Sequence, residues 1–202
     1  MTKPTKTRQI ENIFKRHGGV IRTSETIAAG LHPRDLYKLE SAGEIIKLSR
    51  GLYRLASLPP LGNPDLVSIS RRVPHGVICL ISALSFYGLT TQVPHEIYVA
   101  VIQGAEIPRI DYPPVRVFSF SGKAFDSGIE EHKVDGFPVR IYSREKTVAD
   151  CFKFRNKIGL DVALAALKSY LAQKKANPDL VLAQAKICRV EKIITPYIEA
   201  LL

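Results

Sequence analysis

The chain has 202 residues, enough for one large domain or a small domain joined to a larger one. Hydrophobic residues make up 46% and charged residues 24%, which excludes general disorder. No apolar run reaches the length of a membrane span, and the polar N-terminus has no apolar signal core. Cys79, Cys151 and Cys188 are too widely spaced for a zinc site or a redox pair. They read as small buried residues in a reducing compartment, so a cytoplasmic protein with no metal and no cofactor is expected.

The formal net charge is +10. Residues 1–58 hold 11 basic side chains against 5 acidic ones, and the remaining 144 residues hold 18 against 14. Such a concentrated positive field attracts phosphate polyanions or anionic lipid, and the missing membrane segment makes lipid the weaker choice.

In chain order, Lys6 to Arg16 reads as a helix, because Ile10, Ile13 and Phe14 fall on one face. Gly18-Gly19 ends it. A short helix, Ser24 to Ala29, closes at Gly30. The next helix starts at Pro33, a favoured first position, behind the weak cap His32, and Gly43 ends it. Leu31 and Leu36 stand at the positions of a hydrophobic staple. At 100° per residue Leu36 and Leu39 point to a core. Arg34, Tyr37, Lys38 and Ser41 point the other way, with no carboxylate among them. Ile45-Ile46-Lys47-Leu48 and Leu52-Tyr53-Arg54-Leu55 read as two short strands around a turn with Arg50 at its tip. Together these pieces spell a winged helix-turn-helix over residues 1–58.

A duplex major groove, about 12 Å wide, admits one helix, where arginine can pair with guanine and Lys, Ser or Tyr can hold phosphates. The expected DNA-contacting set is Thr23, Ser24, Arg34, Tyr37, Lys38, Ser41, Lys47, Arg50 and Arg54. Thr23 and Ser24 enter through the amides at the start of the second helix, which suit a phosphate. Arg50 would reach the backbone or minor groove beside the wing.

Ser57-Leu58-Pro59-Pro60-Leu61-Gly62-Asn63-Pro64 reads as a linker or a tight connection, with a second domain over 59–202. There, Cys79 to Tyr87 reads as a buried helix, and Ile97 to Ile102 and Val115 to Phe120 as strands. Ile129 to Val134, Asp135-Gly136 and Phe137 to Tyr142 spell a β-hairpin. Ser143 caps a helix, and Asp161 to Leu171 and Pro178 to Lys186 follow as two more. Val190 to Leu202 is helical, with Pro196 expected to kink or split it. Strands followed by a run of helices predict an α+β class.

Glu131 and Lys133, with Asp111 earlier, resemble the ligands and lysine of a Mg²⁺-dependent nuclease, but their alternation is also what a solvated strand face shows. Lys146 and Asp150 are spaced for an ion pair along a helix, with a structural or partner-binding role left open for Asp150. His75, His95 and His132 are scattered and suggest no triad or metal site. A protein-binding adaptor, using the winged helix without DNA, is the third option.

The strings Gly18-Gly19-Val20-Ile21-Arg22-Thr23, Ala29 to Leu39, Gly43-Glu44-Ile45 and Leu48 to Tyr53 resemble the start of the AbiEi-type antitoxins. His75 to Leu84 with Tyr87-Gly88-Leu89-Thr90 is similar to their central segment. Val134 to Ser143 with Lys146 to Asp150 is similar to a later one. The likeness runs from about Ile10 to Leu171. It implies a winged helix that binds double-stranded DNA repeats of its own promoter and represses its operon. It also implies a C-terminal antitoxin domain that counters a nucleotidyltransferase-like toxin without a stable complex. The family often has His where this chain has Tyr87, a position read here as packing.

Overall fold

The computed structural model describes residues 6–106 and 109–202. The N-terminal part runs Lys6–Arg16 (α1), Val20–Arg22 (β1), Thr23–Ala28 (α2), Pro33–Ser41 (α3), Ile45–Ser49 (β2) and Leu52–Leu55 (β3). Its three strands form an antiparallel sheet ordered β1-β3-β2. This is a winged helix-turn-helix. Its core is built from Ile10 and Phe14 of α1, Leu36 and Leu39 of α3, and Ile21, Ile45, Tyr53 and Leu55 of the sheet. Fully burying a side chain of this size is worth about 1.5–3 kcal/mol.

The second part begins with Pro64–Arg72 (α4), Val77–Ile78 (β4) and Leu80–Phe86 (α5). Ile97–Ile102 (β5), Val115–Phe120 (β6), Lys123–Asp126 (α6), Ile129–Val134 (β7) and Phe137–Tyr142 (β8) follow. Arg144–Lys153 (α7), Arg155–Ile158 (α8), Leu160–Leu171 (α9), Pro178–Ile187 (α10) and Glu191–Glu199 (α11) complete it. The sheet is mixed, ordered β6-β5-β4-β8-β7, with β5–β6 and β4–β8 parallel. Alternation along the strands divides two cores. Ile97, Val99 and Val101 of β5 join Val139 and Ile141 of β8 on one face, against Leu66, Val67 and Ile69 of α4. Tyr98, Ala100 and Tyr142 face the other way, into a layer holding Val148, Cys151 and Phe152 of α7, Leu167 of α9, Val181 of α10 and Ile194 of α11.

The proline-rich segment is a tight connection. Arg54 donates to Leu58 O at 2.9 Å and to Pro59 O, and the Asp135 carboxylate accepts from Gly62 N at 3.0 Å and Asn63 N at 2.8 Å. Val20 and Leu52 of the wing sheet lie in the same apolar cluster as α4 and β8, so the two parts share a core. At the turn after α1, Gly18 and Gly19 both have positive φ. A Cβ on Gly18 would stand 3.2 Å from the Phe137 ring, so the closeness of the two parts depends on a missing side chain.

Three local expectations are corrected. His32 is an effective cap: its Nδ1 accepts from Arg34 N at 3.1 Å. The last helix is one element through Pro196, because a proline there removes a single intrahelical bond near the end of a nine-residue helix. Helix α4 begins at Pro64, the last residue of the segment that reads as a connection, and continues through residues to which the sequence assigns no element; it buries four successive residues, Leu66 to Ile69, and so has no visible period.

Candidate nucleic-acid interface

Helix α3 is anchored from behind. Leu36 and Leu39 are buried, and Leu31 packs against the same core. The opposite face carries Arg34, Tyr37, Lys38 and Ser41, all exposed, with Tyr37 at 60%. Asp35 turns back, its Oδ2 accepting from His32 N at 3.4 Å, and does not join that face. Tyr53, buried behind the helix, has its hydroxyl pKa raised by burial, with Glu40 and Tyr37 adding to the effect. Lys47 and Arg50 are exposed on the wing. Ser24 is exposed at the start of α2.

Two members of the expected set are placed differently. Arg54 is buried at 7% exposure, its guanidinium spent on the carbonyls of Leu58 and Pro59, so it is a structural clamp and leaves the interface. Thr23 is half-buried, and its amide is not free: it donates to Gly51 O at 2.9 Å, tying α2 to the wing turn. Glu25 already brings a carboxylate to this helix start, accepting from Arg22 N at 2.8 Å. Its position is the one a phosphate would take.

Cations from beyond residue 58 stand beside the wing. Arg71 of α4 grips Glu25 with a guanidinium–carboxylate bond of 2.6 Å, both side chains partly buried. Burial raises the Glu25 carboxyl, but the Arg22 amide and Arg71 outweigh it and hold the pKa below the usual glutamate range. Arg22 is lowered by burial and by Arg71. Arg72 donates to Arg50 O at 2.7 Å and Arg109 O at 3.0 Å, and Arg50 lies 3.9 Å from Asp111. Arg71, Arg72 and Arg109 lie outside residues 1–58, the module to which the sequence assigns DNA contact. The adjacent pair Arg71-Arg72 was their only sequence signal.

The carboxylates of the nuclease option do not assemble. Asp111 precedes β6 and Glu131 lies on β7, the two opposite edges of the sheet, four strand spacings or about 19 Å apart. Among the described residues no three His, Cys, Asp or Glu side chains come together to hold a metal. Lys146 and Asp150 do pair, at 2.6 Å and with no exposure, so Asp150 has no surface to offer a partner. Burial raises the Asp150 carboxyl while Lys146 opposes it. The Cys188 thiol, pushed up to about 12 by burial and by Asp150, stays protonated and donates to Asp150 Oδ1 at 3.2 Å. Tyr87 does more than pack. Its hydroxyl donates to Glu130 Oε2 at 2.9 Å and lies 3.0 Å from His132 Nε2, under the Arg144 guanidinium. Burial and the Glu130 contact raise its pKa.

Residues 8–56 match the family described as "Transcriptional regulator, AbiEi antitoxin". Over this stretch the chain is similar to AbiEi-type regulators. The match begins within α1 and ends just beyond β3, so it covers nearly the whole winged helix and supports a regulator and antitoxin role. No curated protein matches the sequence. The fold of nearly the whole chain is similar to the crystal structure of the RV2827C protein from Mycobacterium tuberculosis. That likeness has a TM-score of 0.55 and 11% identity, covering 95% of this chain and 80% of that one. At that identity the likeness concerns fold alone. No helix among the described residues is long and apolar enough to cross a membrane.

Proposed function

We propose that this protein is a cytoplasmic, sequence-specific DNA-binding autorepressor, and the antitoxin of a pair whose toxin is nucleotidyltransferase-like and makes no stable complex with it. The observation that carries the DNA-binding reading is the outer face of α3. It offers two cations, a phenol and a hydroxyl to solvent, while two leucines fix it from behind. Arg34 and Lys38 would enter the major groove, with Tyr37 and Ser41 beside them. Lys47 would hold a phosphate, and the exposed Ser24 hydroxyl, with the Thr23 side chain beside it, would reach another from outside the position that Glu25 fills. Arg50 can reach the neighbouring backbone, because a pair with Asp111 at 3.9 Å between exposed groups is worth only about 0–1 kcal/mol. Arg72 and Arg109 would raise the positive potential along this edge. The antitoxin half rests on the family match alone.

Incubating the full chain with pooled genomic fragments at low salt tests the reading. The segment upstream of its own gene should be retained preferentially. Retention of no fragment at low salt would remove DNA as the ligand and leave a protein-binding adaptor.

A further inference from the structure

We propose that a cavity at the far end of the five-stranded sheet binds a small ligand carrying two or more linked phosphate groups. The cavity has a volume of about 660 Å³ and is lined by Ser121, Gly122 and Lys123 before and within α6, Lys153 at the end of α7, and Cys188 and Arg189 after α10. Sites for small molecules commonly have this size. Three lining residues are cations and none is a carboxylate. Among the described residues, neither Lys123, Lys153 nor Arg189 forms an ion pair. Three cations around one concavity repel one another, and a polyanion between them turns that repulsion into attraction.

The walls are held in place. The Lys153 ammonium lies over the Phe120 and Phe154 rings, at 5.4 and 5.9 Å, which holds its charge at the cavity wall. The floor is Cys188, 3% exposed, whose thiol is pinned to Asp150, itself bound by Lys146. Arg189 has a φ of 61°, a conformation that an L side chain seldom adopts. The backbone therefore holds a cation at a position that glycine would fill with less strain.

This cavity is separate from the α3 face. The chain before β6 meets the wing through Asp111 and Arg50, whereas Ser121 follows the other end of β6. Six residues of strand span about 20 Å. A concavity of this size admits a small ligand, and the convex wall of a duplex does not enter it.

Calorimetry on the full chain tests the proposal, with inorganic pyrophosphate as the probe and sulfate for comparison. Pyrophosphate should bind, and bind more tightly than sulfate. Lys123→Ala combined with Arg189→Gly should weaken it about tenfold or more, since two charge-assisted contacts are lost. Arg189→Gly relieves the backbone, so the melting temperature of the double variant should not fall. Arg34→Ala with Lys38→Ala should leave pyrophosphate binding unchanged, which keeps this outcome distinct from that of the DNA reading. Binding no tighter than sulfate, or undiminished in the Lys123/Arg189 variant, overturns the proposal. So does loss of duplex binding in that variant when the parent does not bind pyrophosphate, since the cations would then belong to a nucleic-acid surface.

Discussion

Helices α3 and α7 are nearly the same length, and each begins at a side-chain cap. His32 accepts from Arg34 N in one, and Ser143 Oγ from Lys146 N in the other. Each carries a lysine, yet Lys38 is exposed and Lys146 is wholly buried. Part of the difference is what stands four residues on: Ala42 after Lys38, Asp150 after Lys146. A lysine whose carboxylate is one turn away and whose other neighbours are the Phe120 and Tyr142 rings can be sealed in a core. Lys38 has no such enclosure and keeps its water, and it stays available to a polyanion. Counting cations along the chain cannot separate the two.

The largest test of this contrast is Lys146→Ala. It strands the Asp150 carboxylate in the core and should lower unfolding stability by about 3–5 kcal/mol in a urea titration. Lys146→Met combined with Asp150→Leu removes both charges, and should recover most of that loss or more. A loss under about 1 kcal/mol in the single variant would mean that water reaches the pair.

A middle-sized effect belongs to the clasp between the two parts of the molecule. Glu25→Gln breaks a charged, partly buried contact with Arg71 and should cost about 1.5 kcal/mol, the low end for a hydrogen bond to a charged group. Folding favours the ionised carboxylate, because its pKa is held low. The clasp's stabilisation is therefore complete above the ordinary glutamate pKa, and it is lost as the pH falls from there through the lower folded value. The parent's acid unfolding curve should be steeper than the variant's across that window. Two parallel curves would count against a depressed Glu25. The smallest effect on stability is expected for Arg34→Ala with Lys38→Ala, within about 0.5 kcal/mol of the parent by thermal melting, since neither side chain supports the core.

Much of the fold was legible because its elements obey simple periods. The bounds of α1, β5, β6, β7 and β8 coincide with those read from Ile10-Ile13-Phe14, from the two apolar runs, and from the hairpin around Asp135-Gly136. The failures share a cause. Strands β1 and β4 have three and two residues, too short to show alternation, and α4 hides behind prolines that start a helix as readily as they end one. At the candidate interface, the outward set of α3 followed from its leucines. Arg54 was misplaced because an arginine in a strand gives no sign that nearby carbonyls will claim it. Arg72 and Arg109 come from distant sequence, and only the packing of α4 on the wing brings them there.

The most direct measurement is the affinity of Arg34→Ala with Lys38→Ala for a duplex from the upstream region, taken over a range of salt concentrations. If α3 is the reading helix, binding should fall by about 1–3 kcal/mol for each base contact removed. The salt slope should shrink by about 0.9 for each phosphate contact removed, and the melting temperature should stay at the parent's value. Parental affinity and parental slope in a folded double variant would contradict the assignment.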